Sequence, residues 1–446
     1  MDTLLRDAAE RGIRYRAGLP ERRVAPAPED VARLAQLRGP LPDEPTDPAR
    51  VLALLDDIGS PATVTNAGGR YFGFVQGSSL PAAVATSWLL SAWDQNACLS
   101  VMSPVSIALE EVALAWLLDI LGLPAACGGS FVSGATMANF TCLAAARHHV
   151  LAQAGWDVEA RGLFDAPPVT VAVGAEAHPT LLKALAMLGL GRQRVLTVPA
   201  DAQGRMRGDA LPPLPAPAIL CLQAGNVNTG AFDPAGEICA RAHQTGAWVH
   251  VDGAFGLWAA AAPERAHLMR GFADADSWAT DAHKWLNVCY DSGLAFVRHE
   301  AALRRAMSIS AAYLPPQDVR EPMHCTPEGS RRARGVEVWA ALRSLGRRGV
   351  AEMVERNCRQ AARLAEGLRA AGFEVLNEVE LNQALVAFGD AAHTRRTIER
   401  IQADGTCWCG PTEWHGRTAM RISVSSWATT DEDIEQSLAA MLRCAT

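Results

Sequence analysis

An α/β fold is predicted for this 446-residue chain: a large domain on a mostly parallel sheet with helices on both faces, then a small C-terminal α+β domain. Three observations carry that expectation. Between residues 61 and 300, short β-branched or apolar runs alternate with helical ones. Most of these runs end in small or polar residues, as strands do where they pass into loops. Beyond a long helical stretch reaching about residue 371, strands and helices follow one another more closely to the end. The expected divisions are an arm over residues 1–60, a large domain over 61–330 and a small domain over 331–446.

The arm is charged and dotted with proline, and its helical patterns, "PEDVARLAQLR" and "DPARVLALLDDIG", are too short to enclose a core. It is expected to pack on a second subunit or across the main body. The opening "MDTLLRDAAERGIRYRAG" is charged and helical and lacks an apolar signal core. The longest apolar run, "ALEEVALAWLLDILGLP", carries two glutamates and an aspartate at helical spacing, which predicts a packed amphipathic helix and not a membrane span. In the large domain the expected strands are "VTVAVGAEAH", "AILCLQAG", "AWVHVDGA", "DSWAT" and "SGLAFVR". In the small domain they are "FEVLNEV", "NQALVAFG", "TCWCG" and "TAMRISVSS", with helices at "HTRRTIERIQAD" and "DEDIEQSLAAML".

Composition removes several classes of function. A net charge of −7 without a basic run argues against nucleic acid as a partner. Eleven cysteines without pairing geometry fit a reducing cytoplasm. Cys407 and Cys409 form a lone C-x-C with no second half for a zinc site, so no metal is expected and both thiols are read as small packed residues.

Among 41 basic residues only Lys183 and Lys284 are lysine. Arginine replaces lysine in ion pairs and phosphate contacts, but it cannot supply an amine that bonds a carbonyl carbon. A lysine kept against that bias, in "DSWATDAHKWLN", is a candidate for covalent chemistry. Lys183, among leucines and alanines, reads instead as a helix-flank side chain that reaches for water.

Ligands of open α/β sheets sit at the carboxyl ends of the strands. Four loops there carry suitable groups. Ser133-Gly134-Ala135-Thr136 opens a helix and suits a phosphate, or simply an ordinary helix start. His178 precedes Pro179 at another helix start and is either a cap or a ring-stacking group. Asp252 ends the strand "AWVHVD" before Gly253 and Ala254, where a carboxylate needs a cationic partner or serves as a cap. His283 and Lys284 follow "DSWAT", with Lys284 32 residues beyond Asp252. Taken together, a phosphate cradle, a ring-covering histidine, a strand-end aspartate and a strand-end lysine meet the requirements of pyridoxal phosphate.

From about Tyr71 onward the chain resembles the group II pyridoxal-phosphate-dependent amino-acid decarboxylases, the glutamate/tyrosine/aromatic amino-acid decarboxylase superfamily. The landmarks occur in family order: "GGRYFGF", "SPVSIALEEVALAWLLDILGLP", "SGATMAN", "AEAHPTLLKAL", "TGAFDP", "WVHVDGAFG", "DSWATDAHKWLN", "SRRARGVEVW" and "RISVSSWATT". The resemblance implies an aspartate-aminotransferase-like large domain (fold type I) and a homodimer. It implies that Lys284 is the Schiff-base lysine, that Asp252 partners the pyridine nitrogen and that His178 stacks on the ring. Ala254 would support the other ring face, and Ala135, Thr136 and His283 would hold the phosphate.

Departures from the pattern bear on the reaction. The family's loop tyrosine is missing from "LPPQDVREPMHCTPEGS", ahead of Arg331-Arg332, which leaves Tyr313 and His324 as candidate acids. A threonine pair is replaced by Asn226 and Val227, and a family asparagine is Asp281, a negative charge where phosphate is expected. The expected activity is decarboxylation of an L-amino acid. Phe72, Phe74 and Trp93 weakly favour an apolar or aromatic side chain. The alternative is another pyridoxal phosphate reaction: transamination, oxidative deamination or carbon–carbon cleavage. A non-catalytic scaffold would leave the lysine–aspartate pair unexplained. Arg421, in "MRISVSS", does not discriminate between these readings, nor do Arg331 and Arg417.

Overall fold

The computed structural model describes residues 1–309 and 320–446. These fall into two units. The larger comprises Ser79–Arg359 and Asn377–Gln383, and the smaller Met1–Ser78, Gln360–Leu376 and Ala384–Thr446.

The larger unit is built on a seven-stranded sheet of β1 (Gly128–Val132), β2 (Thr170–Gly174), β3 (Leu196–Val198), β4 (Ala218–Gln223), β5 (Trp248–Asp252), β6 (Ser277–Asp281) and β7 (Gly293–Val297). Their order is β1-β7-β6-β5-β4-β2-β3. Only β7 runs against the others, pairing antiparallel with β1 and β6. The reversal follows from length. Eleven residues separate Asp281 from Gly293, just enough for a turn (282–292) and too few for a crossover helix. The five strands expected here are β2, β4, β5, β6 and β7. β1 and β3 lie outside that expectation: β1 begins with two glycines and β3 is three residues long, so neither shows a clear period.

The helix Ala135–Gln153 lies against this sheet, and its composition explains how close it comes. Ala138, Cys142 and Ala145 are fully buried at helical spacing. Their small side chains let the Cys142 thiol reach the carbonyls of Trp278 and Phe296 at 3.4 and 3.6 Å. At the head of the helix, a Cβ on Gly293 would come within 2.4 Å of Gly134 Cα, so the start of β7 and the helix-opening loop can touch only as glycines. Trp248, Trp258, Trp278 and Trp285 are fully buried around β5 and β6. Each indole N–H has an acceptor: Ser277 Oγ, Asp281 O, Phe272 O and Asn357 Oδ1, at 2.8–3.0 Å. These anchors fix the strand ends that carry the candidate site. The apolar run expected to form a packed helix does so over Pro104–Ile120, and both carboxylate oxygens of Glu110 within it accept from one guanidinium nitrogen of Arg331 in a buried pair.

The smaller unit holds a four-stranded sheet of β8 (Glu374–Val375), β9 (Gln383–Ala387), β10 (Gly410–Trp414) and β11 (Arg417–Ser423), in the order β10-β11-β9-β8. Helices Ala391–Asp404 and Asp431–Ala445 fall where expected. "TCWCG" does not form the expected strand. Cys407 and Cys409 point into the core, fully buried, and Trp408 makes only an isolated bridge to Tyr71.

The divisions also differ from expectation. Residues 61–78 belong to the smaller unit, because Phe72 N–H donates to Trp408 O and Ser423 N–H donates to Phe72 O. Residues 331–359 stay with the larger unit, where Arg331 is tied to Glu110 and to Phe131 O. No described helix is long and apolar enough to cross a membrane.

Candidate active site

Asp252 is the last residue of β5 and is buried. It aligns with Gln223 of β4 and Ala279 of β6, which places it at the carboxyl edge of the parallel strands. Its Oδ2 accepts from Asn139 Nδ2 and its Oδ1 from Ala254 N–H, both at 3.2 Å. Burial pushes this carboxyl above the ordinary value, while the charges of His178 and Lys284 and the two donors pull it down.

A chain of side chains stands behind Asp252, and its proton positions follow from chemistry. The indole of Trp248 can only donate, so Ser277 Oγ accepts from it at 2.9 Å and must send its own hydrogen elsewhere. A hydroxyl can accept twice, but Asp252 takes an Nδ2–H of Asn139 and leaves Asn139 Oδ1 to accept from His250 Nε2, so the neutral ring's Nδ1, 3.0 Å away, receives the Ser277 hydrogen. His250 Nε2 then carries the proton and donates to Asn139 Oδ1 at 2.8 Å, leaving Asn139 Nδ2 to donate to Asp252. Burial pushes His250 down to about 3, so the ring is neutral, as this chain requires. Sequence reasoning missed Asn139, His250 and Ser277. The signal was present: Asn139 lies one helical turn beyond Ala135, and His250 lies two residues before Asp252, on the same face of a strand.

Lys284 follows β6 by three residues, half-buried, with Nζ 3.1 Å from Asp281 Oδ2. Asp281 does not point away from the helix start; its Oδ1 accepts Ala135 N–H at 2.6 Å. His283 Nδ1 accepts Ser292 N–H at 3.0 Å, so Nε2 bears the proton and faces Asp281 Oδ1 at 3.6 Å. Burial, the strongest influence on the ring, holds His283 below its ordinary value, with Asp281 opposing. Thr136 is half-buried on the first turn beside Ala135. The backbone of Ala254 ties the two strand ends together, its carbonyl accepting from Asp281 N–H at 2.9 Å and Thr280 Oγ1 at 3.3 Å.

His178 caps the helix Pro179–Met187, accepting Thr180 N–H on Nδ1 at 3.3 Å. It lines a cavity of about 10 Å³ together with Cys221, Gln223 and Asp252. Asn226, at the replaced threonine pair, is buried and accepts from Asn228 and Thr229 N–H. His324 is buried in a short turn, Pro322–His324, whose Met323 N–H bonds Cys98 O. Tyr313 lies outside the described residues. Arg421 and Tyr71 share the smaller unit; burial lowers the arginine and raises the phenol to about 12.

The donors suit pyridoxal phosphate at two of its three ends. A buried carboxylate already held on two sides can take one more donor, a protonated ring nitrogen. A half-buried amine stands at the end of the neighbouring strand. At the third end a Cβ on Gly134 would lie 3.2 Å from His283 Cε1, so glycine keeps a cradle open, although Asp281 already shares it.

The model of the pyridoxal-dependent decarboxylase conserved domain matches residues 33–389. Aromatic-L-amino-acid decarboxylase of Drosophila lebanonensis is 30% identical, over 82% of this chain and 95% of its own length. Tryptophan decarboxylase 1 of Oryza sativa subsp. japonica is 27% identical, over 80% and 76%. The crystal structure of Oryza sativa TDC with PLP and tryptamine superposes with a TM-score of 0.91 at 22% identity, over 100% of this chain and 97% of that one. Mouse CSAD gives the same TM-score and identity, so the backbone is common to relatives of different names. With the family model spanning most of the sequence and a relative 30% identical over 82% of this chain, the chain belongs to the pyridoxal-dependent decarboxylases, carboxy-lyases that work with pyridoxal 5'-phosphate.

Proposed function

We propose that this protein decarboxylates an apolar or aromatic L-amino acid, with Lys284 as the residue that bonds the cofactor. The observation that carries the reading is the pairing of strand ends: Asp252 buried at the end of β5 and oriented by Asn139, with Lys284 just past the end of the parallel neighbour β6. When bound, pyridoxal phosphate supplies a ring that accepts the electron pair released at the substrate's α-carbon.

The remaining work belongs to the chain. Asp252 holds a proton on the ring nitrogen, since a buried carboxylate with two donors is completed by a cation. Asn139, fixed by His250, aims that carboxylate. His178, which shares a cavity with Asp252, would cover one ring face, and Ala254, too small to clash, would support the other. Ala135 N–H, Thr136 and His283 Nε2–H would hold the phosphate, in a cradle that Asp281 also occupies. Lys284 would hold the cofactor through its Nζ and, once free of it, would be the amine placed to move a proton at the substrate's α-carbon.

An aromatic substrate is supported by the aromatic-L-amino-acid and tryptophan decarboxylases among the relatives. A homodimer is supported by apolar side chains the larger unit leaves exposed between residues 88 and 112, among them Trp88, Leu89, Val101 and Met102. The N-terminal arm, with Leu5, Ile13, Leu54 and Leu55 exposed, is likewise read as packing on a second subunit. A reducing cytoplasm fits eleven free cysteines, ten of them buried.

Product analysis tests the reading. Holoenzyme is incubated with each common L-amino acid while carbon dioxide, amine, aldehyde, keto acid and ammonia are measured. Carbon dioxide with an equal amount of amine, fastest for aromatic substrates, is expected. Aldehyde or keto acid without amine would overturn it in favour of the second reading, which the absence of tyrosine between residues 314 and 330 supports.

A further inference from the structure

Asp281 occupies ground that a phosphate needs. One carboxylate, almost wholly buried, collects three cationic or donor groups. Ala135 N–H bonds Oδ1 at 2.6 Å, His283 Nε2 faces the same oxygen at 3.6 Å, and Lys284 Nζ stands 3.1 Å from Oδ2. The first is the opening N–H of the 19-residue helix Ala135–Gln153, whose positive dipole end favours an anion. Asp281 is held there by its strand: its own N–H bonds Ala254 O and its carbonyl accepts Trp258 Nε1–H. These bonds fix the Asp281 backbone, so the buried carboxylate can leave the helix start only by a side-chain rotation that breaks its bond to Ala135 N–H.

We propose that Asp281 is a built-in anion that competes with the cofactor's phosphate for Ala135 N–H and the His283 N–H, and so sets the affinity of this chain for pyridoxal phosphate. This rests on the proposed roles of Ala135, His283 and Lys284 toward the cofactor. Two anions confined to one buried cradle repel, and neither water nor salt screens them well there. The cofactor must displace the carboxylate from the helix start or bind beside it. Asparagine at this position would keep an oxygen for Ala135 N–H and turn a repelling oxygen into a donor for phosphate. The acid thus trades tight cofactor retention for an apo site whose cradle is already filled and whose lysine is already paired.

The test uses full-length apoprotein, wild type and Asp281→Asn, titrated with pyridoxal phosphate and with pyridoxal, which lacks the phosphate. The absorbance of lysine-bound cofactor reports binding, and borohydride trapping with peptide mapping reports the lysine. Asp281→Asn is expected to tighten pyridoxal phosphate by about tenfold or more, the effect of removing one buried like charge, and pyridoxal far less. Equal tightening of both ligands would mean that Asp281 acts through Lys284 alone and would overturn the proposal, as would no tightening.

Wild type alone gives a second measurement that needs no variant. Two unopposed charge-assisted hydrogen bonds would make the phosphate worth on the order of 10³-fold in affinity over pyridoxal. A preference far below that is expected, and a preference at or above it refutes the competition. Trapping at a residue other than Lys284, or no trapping, would instead bring down the cofactor role of Lys284 beneath the proposal, an outcome separate from the affinity ratios.

Discussion

Two aspartates end neighbouring parallel strands of one sheet, and they are held in different ways. Asp252, at the end of β5, is aimed by a relay of side chains running from Trp248 through Ser277, His250 and Asn139. Asp281, at the end of β6, is held by a helix amide and a lysine ammonium. Asp252 spends only neutral donors and so keeps its charge for a ligand. Asp281 spends its charge inside the protein, on the groups a ligand would use. Burial alone does not make a carboxylate a binding group; what matters is whether its partners leave it unsatisfied in the direction of the ligand.

The largest effect expected from breaking either arrangement comes from the lysine they frame. Lys284→Ala removes the amine that carries the covalent bond, and activity should fall by on the order of 10⁴-fold, with no lysine-bound cofactor in the absorbance spectrum. Lys284→Arg keeps the charge beside Asp281 and should be equally inactive. Steady-state rates with the best substrate check both. Substantial activity in the arginine variant would show that the charge, and not the amine, is what the site needs.

Asp252→Asn comes next. It preserves shape and the Asn139 contact but removes the negative charge opposite the ring nitrogen. The loss should be confined to kcat, at about 10²- to 10³-fold, the scale for removing one preorganised electrostatic group. Cofactor should still be trapped at Lys284. A KM effect without a kcat effect would mean that Asp252 positions substrate, against the role given to it. Asp281→Asn should show its effect in cofactor affinity, which sharpens the contrast between the two carboxylates.

Much of this is legible in the sequence because the bias against lysine is so strong. With two lysines in the chain, Lys284 stands out on composition and neighbours alone. Asp252, His178 and His283 are readable because each sits where a periodic run gives way to small residues. The relay behind Asp252 is not, since Ser277, His250 and Asn139 come from three elements that only the parallel pairing of β5 with β6 and the packing of the helix bring together. β1 is hidden because "GGSFV" has no period to read. "TCWCG" misleads for the opposite reason: its alternation is that of a strand, but both its cysteines are buried in the core of the smaller unit and the segment pairs only through an isolated bridge. The direction of the Asp281 side chain is the hardest to foresee, because sequence gives the charge of a residue but not what it bonds.

Asn139→Ala should produce a smaller loss than Asp252→Asn, about 10- to 100-fold in kcat, because it frees the Asp252 carboxylate without discharging it. It also strands the His250 N–H, so a fall in stability should accompany it. Asn139→Asp would present a carboxylate to Asp252 and should be worse than alanine. If alanine and aspartate variants kept wild-type rates, the relay would be packing and nothing more.

The finest test of the relay is its response to acid. His250 is neutral in the fold, pushed down to about 3 by burial, whereas a histidine in the unfolded chain takes its proton near the ordinary value of 6.5. Between those limits the unfolded state binds the additional proton, so stability is fully present above about pH 6.5 and is lost as pH falls toward 3. The slope is at most about 1.4 kcal/mol per pH unit from this one residue. His250→Gln can keep a donor toward Asn139 and an acceptor toward Ser277 but does not titrate. Its stability should therefore start below that of wild type at pH 7 and approach it as the solution is acidified to pH 5, in paired urea denaturations. Parallel curves for the two proteins would mean that His250 does not take up a proton on unfolding, and that something other than its neutrality fixes the direction of the hydrogen bonds leading to Asp252.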